Sequence, residues 1–164
     1  MENLKFSAFH RRGPAIVALC ALLSAAAGRE LRAQYRNDSA ALYAAIAAHV
    51  HEAAGGGSAL LVGDPRIWGI LPRRVIQSVV ARLEARGIDT ADCQQGCLEE
   101  PGDIHLNFGP IVFLPDGSAW VTVHSFGLLS ADPSRRLWVD RTAYHAEYRN
   151  GAWTVLESRP AWTT

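Results

Sequence analysis

Apolar positions along this chain change period twice, and the changes mark its elements. Leu42, Ile46, Val50 and Ala53 recur at helical spacing, Asp38 or Ser39 supplies an N-cap, and the glycines at 55–57 stop the pattern. Ala59 to Val62 is a short apolar run bounded by glycine and by Gly63-Asp64-Pro65, which reads as a buried strand. Pro72 then opens a second helix as its first residue. Its stripe of Val75, Ile76, Val79, Val80 and Leu83 ends at Gly87. After an acidic loop the period falls to two. Ile104 to Leu114 and Ser118 to Phe126 flank Pro115-Asp116-Gly117, which makes one hairpin. Leu137 to Arg149 and Ala152 to Ser158 flank Asn150-Gly151, the strongest two-residue hairpin signal, which makes another.

The Asn150-Gly151 turn sets a register in which Tyr148 faces Trp153 and Ala146 faces Val155. Tyr144, Ala146, Tyr148, Trp153 and Val155 then share a core face. Arg141, His145, Glu147, Arg149 and Thr154 share the polar one. The aromatics Trp120, Trp138, Tyr144, Tyr148 and Trp153 therefore read as sheet core, at least three of them inward together, before they read as a sugar-stacking platform, with Trp138, just after Ser134-Arg135-Arg136, as the exposed exception. The expected fold class is α+β, with two helices packed on a twisted antiparallel sheet of four to five strands that ends in a C-terminal meander.

Helix, strand, helix, and then a meander ending in Tyr148-Arg149-Asn150-Gly151-Ala152-Trp153-Thr154-Val155 resembles the cystatin-like and NTF2-like superfamily of cone-shaped α+β domains. The resemblance spans roughly residues 38 to 158. It implies a cone that either binds a ligand or partner, or places acid and base residues inside for isomerase, cyclase or hydrolase chemistry. No catalytic motif of that superfamily matches this chain residue by residue, and fold alone does not imply function.

Composition and the first residues bound the setting. Lys5, Arg11 and Arg12 precede an apolar stretch from Ala15 to Leu23, and Ser24-Ala25-Ala26-Ala27 supplies small residues, so residues 1–27 read as a secretory signal peptide. Leu31-Arg32-Ala33 offers an alternative end at 33. The charge-free run between Arg12 and Arg29 is shorter than the roughly 20 apolar residues a membrane span needs, so no span is expected after cleavage. Residues 28–164 are then the size of a single exported domain, periplasmic or extracellular. Cleavage removes Lys5, Arg11, Arg12 and Glu2 from 16 basic and 16 acidic residues, leaving 13 and 15, a net charge near −2. That balance argues against nucleic acid as a partner and leaves an unknown small ligand or an envelope protein. Because Lys5 is the sole lysine, Schiff-base chemistry on a mature lysine is excluded.

Candidate chemistry is sparse. Cys93 and Cys97 are the mature cysteines, and in an oxidising compartment the C-x3-C pair is expected to form a disulfide that staples the acidic loop. The acidic residues Asp89, Asp92, Glu99, Glu100 and Asp103 match no calcium-loop spacing, so neither a metal nor a cofactor is expected. His49 and His51 are two apart on a helix and diverge. His124 shares a strand face with Trp120 and Thr122 and is the candidate general base, with Asp64 as the other. Arg66, Arg73 and Arg74 surround the start of the second helix and are anion-binding candidates, because cations there oppose the helix dipole unless an anion accompanies them. No constellation of nucleophile, base and orienting group emerges. The expected function is therefore a non-enzymatic binding or interaction module. The alternatives are a pocket enzyme of the isomerase, cyclase or hydrolase kind, or an envelope protein acting through its sheet surface.

Overall fold

The computed structural model describes residues 38–65, 71–98, 100–128 and 137–161, and the chain from Asp38 to Thr164 forms one compact unit. The signal-peptide reading of residues 1–27, its alternative end at 33, and Arg66 lie outside the described residues.

Helix α1 spans Ser39–Ala53 and starts where Asp38 Oδ1 accepts a hydrogen bond from the Ala41 amide at 3.2 Å. Its turns are built largely of alanine, so it lies deep, with every residue from Leu42 to Ala48 buried. Gly55 and Gly56, at φ 94° and 74°, carry the chain out of it. Helix α2 spans Arg73–Glu84 and buries Ile76, Val79 and Leu83 in a single stripe. Pro72 stands at its N-cap, one position earlier than the sequence pattern suggests. Among the described residues no helix is long and apolar enough to cross a membrane.

Six strands form one sheet in the order β2-β1-β3-β4-β5-β6, with β1 Leu60–Val62, β2 Thr90–Asp92, β3 Ile104–Phe113, β4 Ser118–Leu128, β5 Leu137–Arg149 and β6 Ala152–Pro160. The class is α+β as expected, but the sheet is mixed and six-stranded, not antiparallel with four to five strands. β1 runs parallel to both β2 and β3, while β3 to β6 form the antiparallel meander. The correction lies in the acidic loop. Thr90-Ala91-Asp92 is too short and too polar to show a period, yet α2 carries the chain back so that these residues pair with β1 as the second strand of a parallel crossover. The Thr90 hydroxyl adds a hydrogen bond to the Leu60 carbonyl at 2.8 Å.

The last hairpin has the expected register. Tyr148 pairs with Trp153 and Ala146 with Val155, around Asn150 and Gly151 at φ 53° and 84°. A bulge between His145 and Ala146 then offsets the rest of the pair. One face of the sheet carries Leu106, Phe108, Val121, Val123 and Ala146, all buried, and receives α1 through Tyr43, whose ring lies 4.9 Å from that of Phe108. Full burial of such a side chain contributes roughly 1.5–3 kcal/mol, so this interface carries the core. The other face carries His105, Asn107, Trp120, His124, Arg141 and His145, as the strand registers require.

Candidate functional site

A polar row forms where β1 stops and its neighbour β3 continues. Gly63, at φ 85°, turns the chain out of the sheet, and a Cβ there would collide with Ile76 Cδ1, so glycine is required at this position. The turn delivers Asp64 to β3. Asp64 Oδ2 lies 3.1 Å from His105 Nδ1, with the two side chains 2% and 1% exposed. The Asn107 side chain donates to the Asp64 carbonyl oxygen at 2.8 Å, and the His105 ring stacks on Phe126 at 4.2 Å between centroids. A carboxylate on Nδ1 orients an imidazole and stabilises its protonated form, as in many acid–base sites. Here both members of the pair are buried.

His124 follows in the same row. It pairs with Asn107 on one side and with Arg141 on the other. Burial in the first place, and the Arg141 charge in the second, hold its imidazole below the ordinary value of 6.5. The two base candidates thus flank Asn107, Asp64 from the turn after β1 and His124 from β4. His124 and His145 share the face as well, but His145 sits opposite Trp120, four residues further along β5, or about 13 Å at ordinary strand rise. That spacing separates them as ligands. The His145 ring stacks on Trp120 at 4.8 Å, and the Arg159 guanidinium carbon lies 4.0 Å from the Trp120 ring centre. Trp120, expected in the core, therefore belongs to the polar face and packs between charged strands.

Arg73 and Arg74 lie exposed in the first turn of α2, whose N-cap Pro72 offers no side-chain hydrogen bond. Cys93 and Cys97 form a disulfide across a Cα separation of 5.1 Å, with Cys93 fully buried. Next to it Gln94 ties two segments together, its amide accepted by Asp92 Oδ1 at 3.0 Å and its side chain donating to the Leu71 carbonyl at 3.0 Å. Of the acidic residues, Asp92 and Asp103 spend their carboxylates on backbone amides of this loop, and no cluster of metal-ligating side chains occurs among the described residues.

Among the described residues, two open clefts lie elsewhere. One, of about 310 Å³, sits between the start of α1, the end of α2 and the β5–β6 turn, and is lined by Asp38, Arg82, Arg86, Tyr148 and Trp153 with alanines between them. The other, of about 460 Å³, lies by the β2 edge and is bounded by Asp89, Leu98, Glu100 and Asp103. Neither contains Asp64, His105 or His124.

His105 is the residue that sequence reasoning passed over. The alternation Ile104-His105-Leu106-Asn107-Phe108 does place His105 and Asn107 on one face. What was missing is the parallel pairing that sets His105 beside Leu61 and within reach of Asp64.

The architecture defines a class, an α+β domain with a parallel three-stranded corner and an antiparallel meander. Beyond that class, the chain matches no family model, no curated protein and no solved structure.

Proposed function

We propose that this chain is an exported, non-enzymatic binding domain that recognises a small ligand. The observation that carries this reading is the burial of the Asp64–His105 pair, which lines neither of the described clefts. The two side chains are 2% and 1% exposed. Groups that convert a substrate must reach it within hydrogen-bond distance. The cleft beside the last hairpin instead offers guanidinium and aromatic groups, which recognise ligands without reacting with them. Export is supported by the signal-peptide pattern of residues 1–27 and by the Cys93–Cys97 disulfide, a bond that persists in oxidising compartments. A cystatin-like or NTF2-like origin is consistent with the helix order and the final meander.

Retention of small molecules tests the binding reading. The protein, passed over an extract of envelope metabolites from its host and examined by native mass spectrometry, is expected to carry a bound compound in stoichiometric amount. Recovery as bare protein at every extract concentration overturns the reading. A pocket enzyme with an Asp or His base is the second reading, and the part-exposed His124 beside Asn107 favours it.

A further inference from the structure

We infer that the sheet face turned away from α1 binds a tetrahedral oxyanion, a phosphate or sulfate group, between Arg141 of β5 and Arg159 of β6. The inference goes beyond the binding reading above, since neither arginine lines the described clefts.

The strand registers build the place. Thr122, Ala143 and Arg159 lie in one row across β4, β5 and β6. His124 and Arg141 form the row on one side of it, and Trp120 and His145 the row on the other. On β4 and β5 the middle row carries only a hydroxyl and a methyl group, between neighbours that carry rings or a guanidinium. It is therefore the floor of a shallow trough. All six residues of β4 and β5 in these rows are half-buried and Arg159 is exposed, so a small solute reaches the trough from solvent.

Two cations converge on that floor. The Arg159 guanidinium carbon lies 4.0 Å from the ring centre of Trp120, which stacks on His145 at 4.8 Å. Because Trp120 belongs to β4, this contact draws the charge of the edge strand inward over Ala143 and holds it there. Arg141 stands in the adjacent row, about 7 Å along the strands. Its Nε is buried and has no hydrogen-bond partner among the described residues. A donor left so is costly until an acceptor arrives.

The neighbouring carboxylates are engaged elsewhere. Glu157 turns to His145 at 3.5 Å, Glu147 pairs with Arg149, and Asp140 accepts from the Thr142 hydroxyl at 2.7 Å. Among the described residues neither Arg141 nor Arg159 has an ion-pair partner. His124, between Asn107 of β3 and Arg141 of β5, registers the same imbalance. Burial, and then repulsion from Arg141, keep its imidazole uncharged near neutral pH.

A tetrahedral oxyanion answers this arrangement. It presents oxygens in several directions and carries up to two charges, so it accepts from both guanidinium groups and from the Thr122 hydroxyl. A carboxylate accepts in one plane with a single charge and leaves one arginine unanswered. Chloride offers no directional acceptor.

The test is a titration of the full exported chain, labelled with nitrogen-15, with inorganic phosphate, sulfate and acetate at about pH 7, chloride holding the ionic strength constant. The expected result is saturable shifts centred at Thr122, His124 and Ala143, with phosphate or sulfate binding about tenfold tighter than acetate, the scale of one charge-assisted hydrogen bond. Whichever of the two binds tighter identifies the source of the group. The bound anion also raises the His124 pKa, which a merely structural pair of arginines would not do. Arg141→Gln and Arg159→Gln are each expected to weaken binding about tenfold, and the second, at an exposed position, keeps the test readable where the first fails to fold. Equal affinity for acetate, no shift beyond that of chloride, shifts centred at Arg73 and Arg74 instead, or unchanged binding in Arg159→Gln overturn the inference. The binding reading fails separately, by recovery of bare protein from the metabolite extract, so the two failures are distinguishable.

Discussion

Asp64 Oδ2 meets His105 Nδ1 at 3.1 Å in a site where both side chains are buried, and the contact fastens the end of β1 to the strand beside it. Removing one member of such a pair strands the other in a low-dielectric interior, which typically costs about 3–5 kcal/mol, whereas removing both costs far less. His105→Leu or Asp64→Leu alone is therefore expected to lower the unfolding free energy by about 3 kcal/mol. The double variant should lose clearly less than the sum of the two. Urea denaturation of the three variants measures this, and strict additivity would show that the residues do not act as a pair.

Tyr43 makes the opposite face of the sheet sensitive to alkali. Its hydroxyl donates to the Gly109 carbonyl at 3.1 Å, and burial pushes its pKa from 10.0 up to about 12. The unfolded chain loses this proton first. The stabilisation is thus complete below pH 10 and is lost between pH 10 and about 12, by up to about 2.7 kcal/mol. Tyr43→Phe starts about 1 kcal/mol lower for want of the hydrogen bond. It should then show a shallower alkaline decline than the wild-type protein, and equal slopes would contradict the assignment.

His124 acts at the other end of the pH scale. Because burial and Arg141 hold its pKa below 6.5, the folded state resists a proton that the unfolded chain accepts. Its contribution is complete above pH 6.5 and is lost as pH falls from there through the lowered value. His124→Gln removes this titration, so its urea midpoint should fall less than that of the wild type between about pH 7 and about pH 5. Parallel declines would place the acid sensitivity elsewhere.

The Cys93–Cys97 bond closes a short loop, for which chain entropy gives a stabilisation of about 2 kcal/mol. Replacing both cysteines by alanine should lower stability by about that amount and leave the fold intact. Protein recovered from the host envelope should begin at Gly28 or Gln34 and take up alkylating reagent at both thiols only after reduction. A full-length mass with both thiols reactive would remove the export argument.

Much of this architecture was legible because its elements are periodic or punctuated. The α1 and α2 stripes, the strand at Leu60–Val62 and both hairpins follow from spacing and from Pro115-Asp116-Gly117 and Asn150-Gly151. β2 was not legible, since three residues with intermediate burial carry no period and their pairing depends on where α2 returns the chain. The same omission hid the polar row. Asp64 and His124 were visible as titratable residues, but their relation through Asn107, and the contact between Asp64 and His105, depend on the register of β1 against β3, which no local pattern encodes. Trp120 was misassigned to the core for a related reason. Aromatic content alone does not say which face of a strand is covered, and only pairing with His145 sets it on the polar side.

The measurement closest to the central claim is the fate of the captured compound. Incubated for a day with purified protein and followed by mass spectrometry, it is expected to remain unchanged in mass and amount, as recognition without conversion requires. A new product, formed in proportion to protein concentration and lost in His124→Gln or His105→Leu, would contradict the account and make the polar row at the end of β1 an active site.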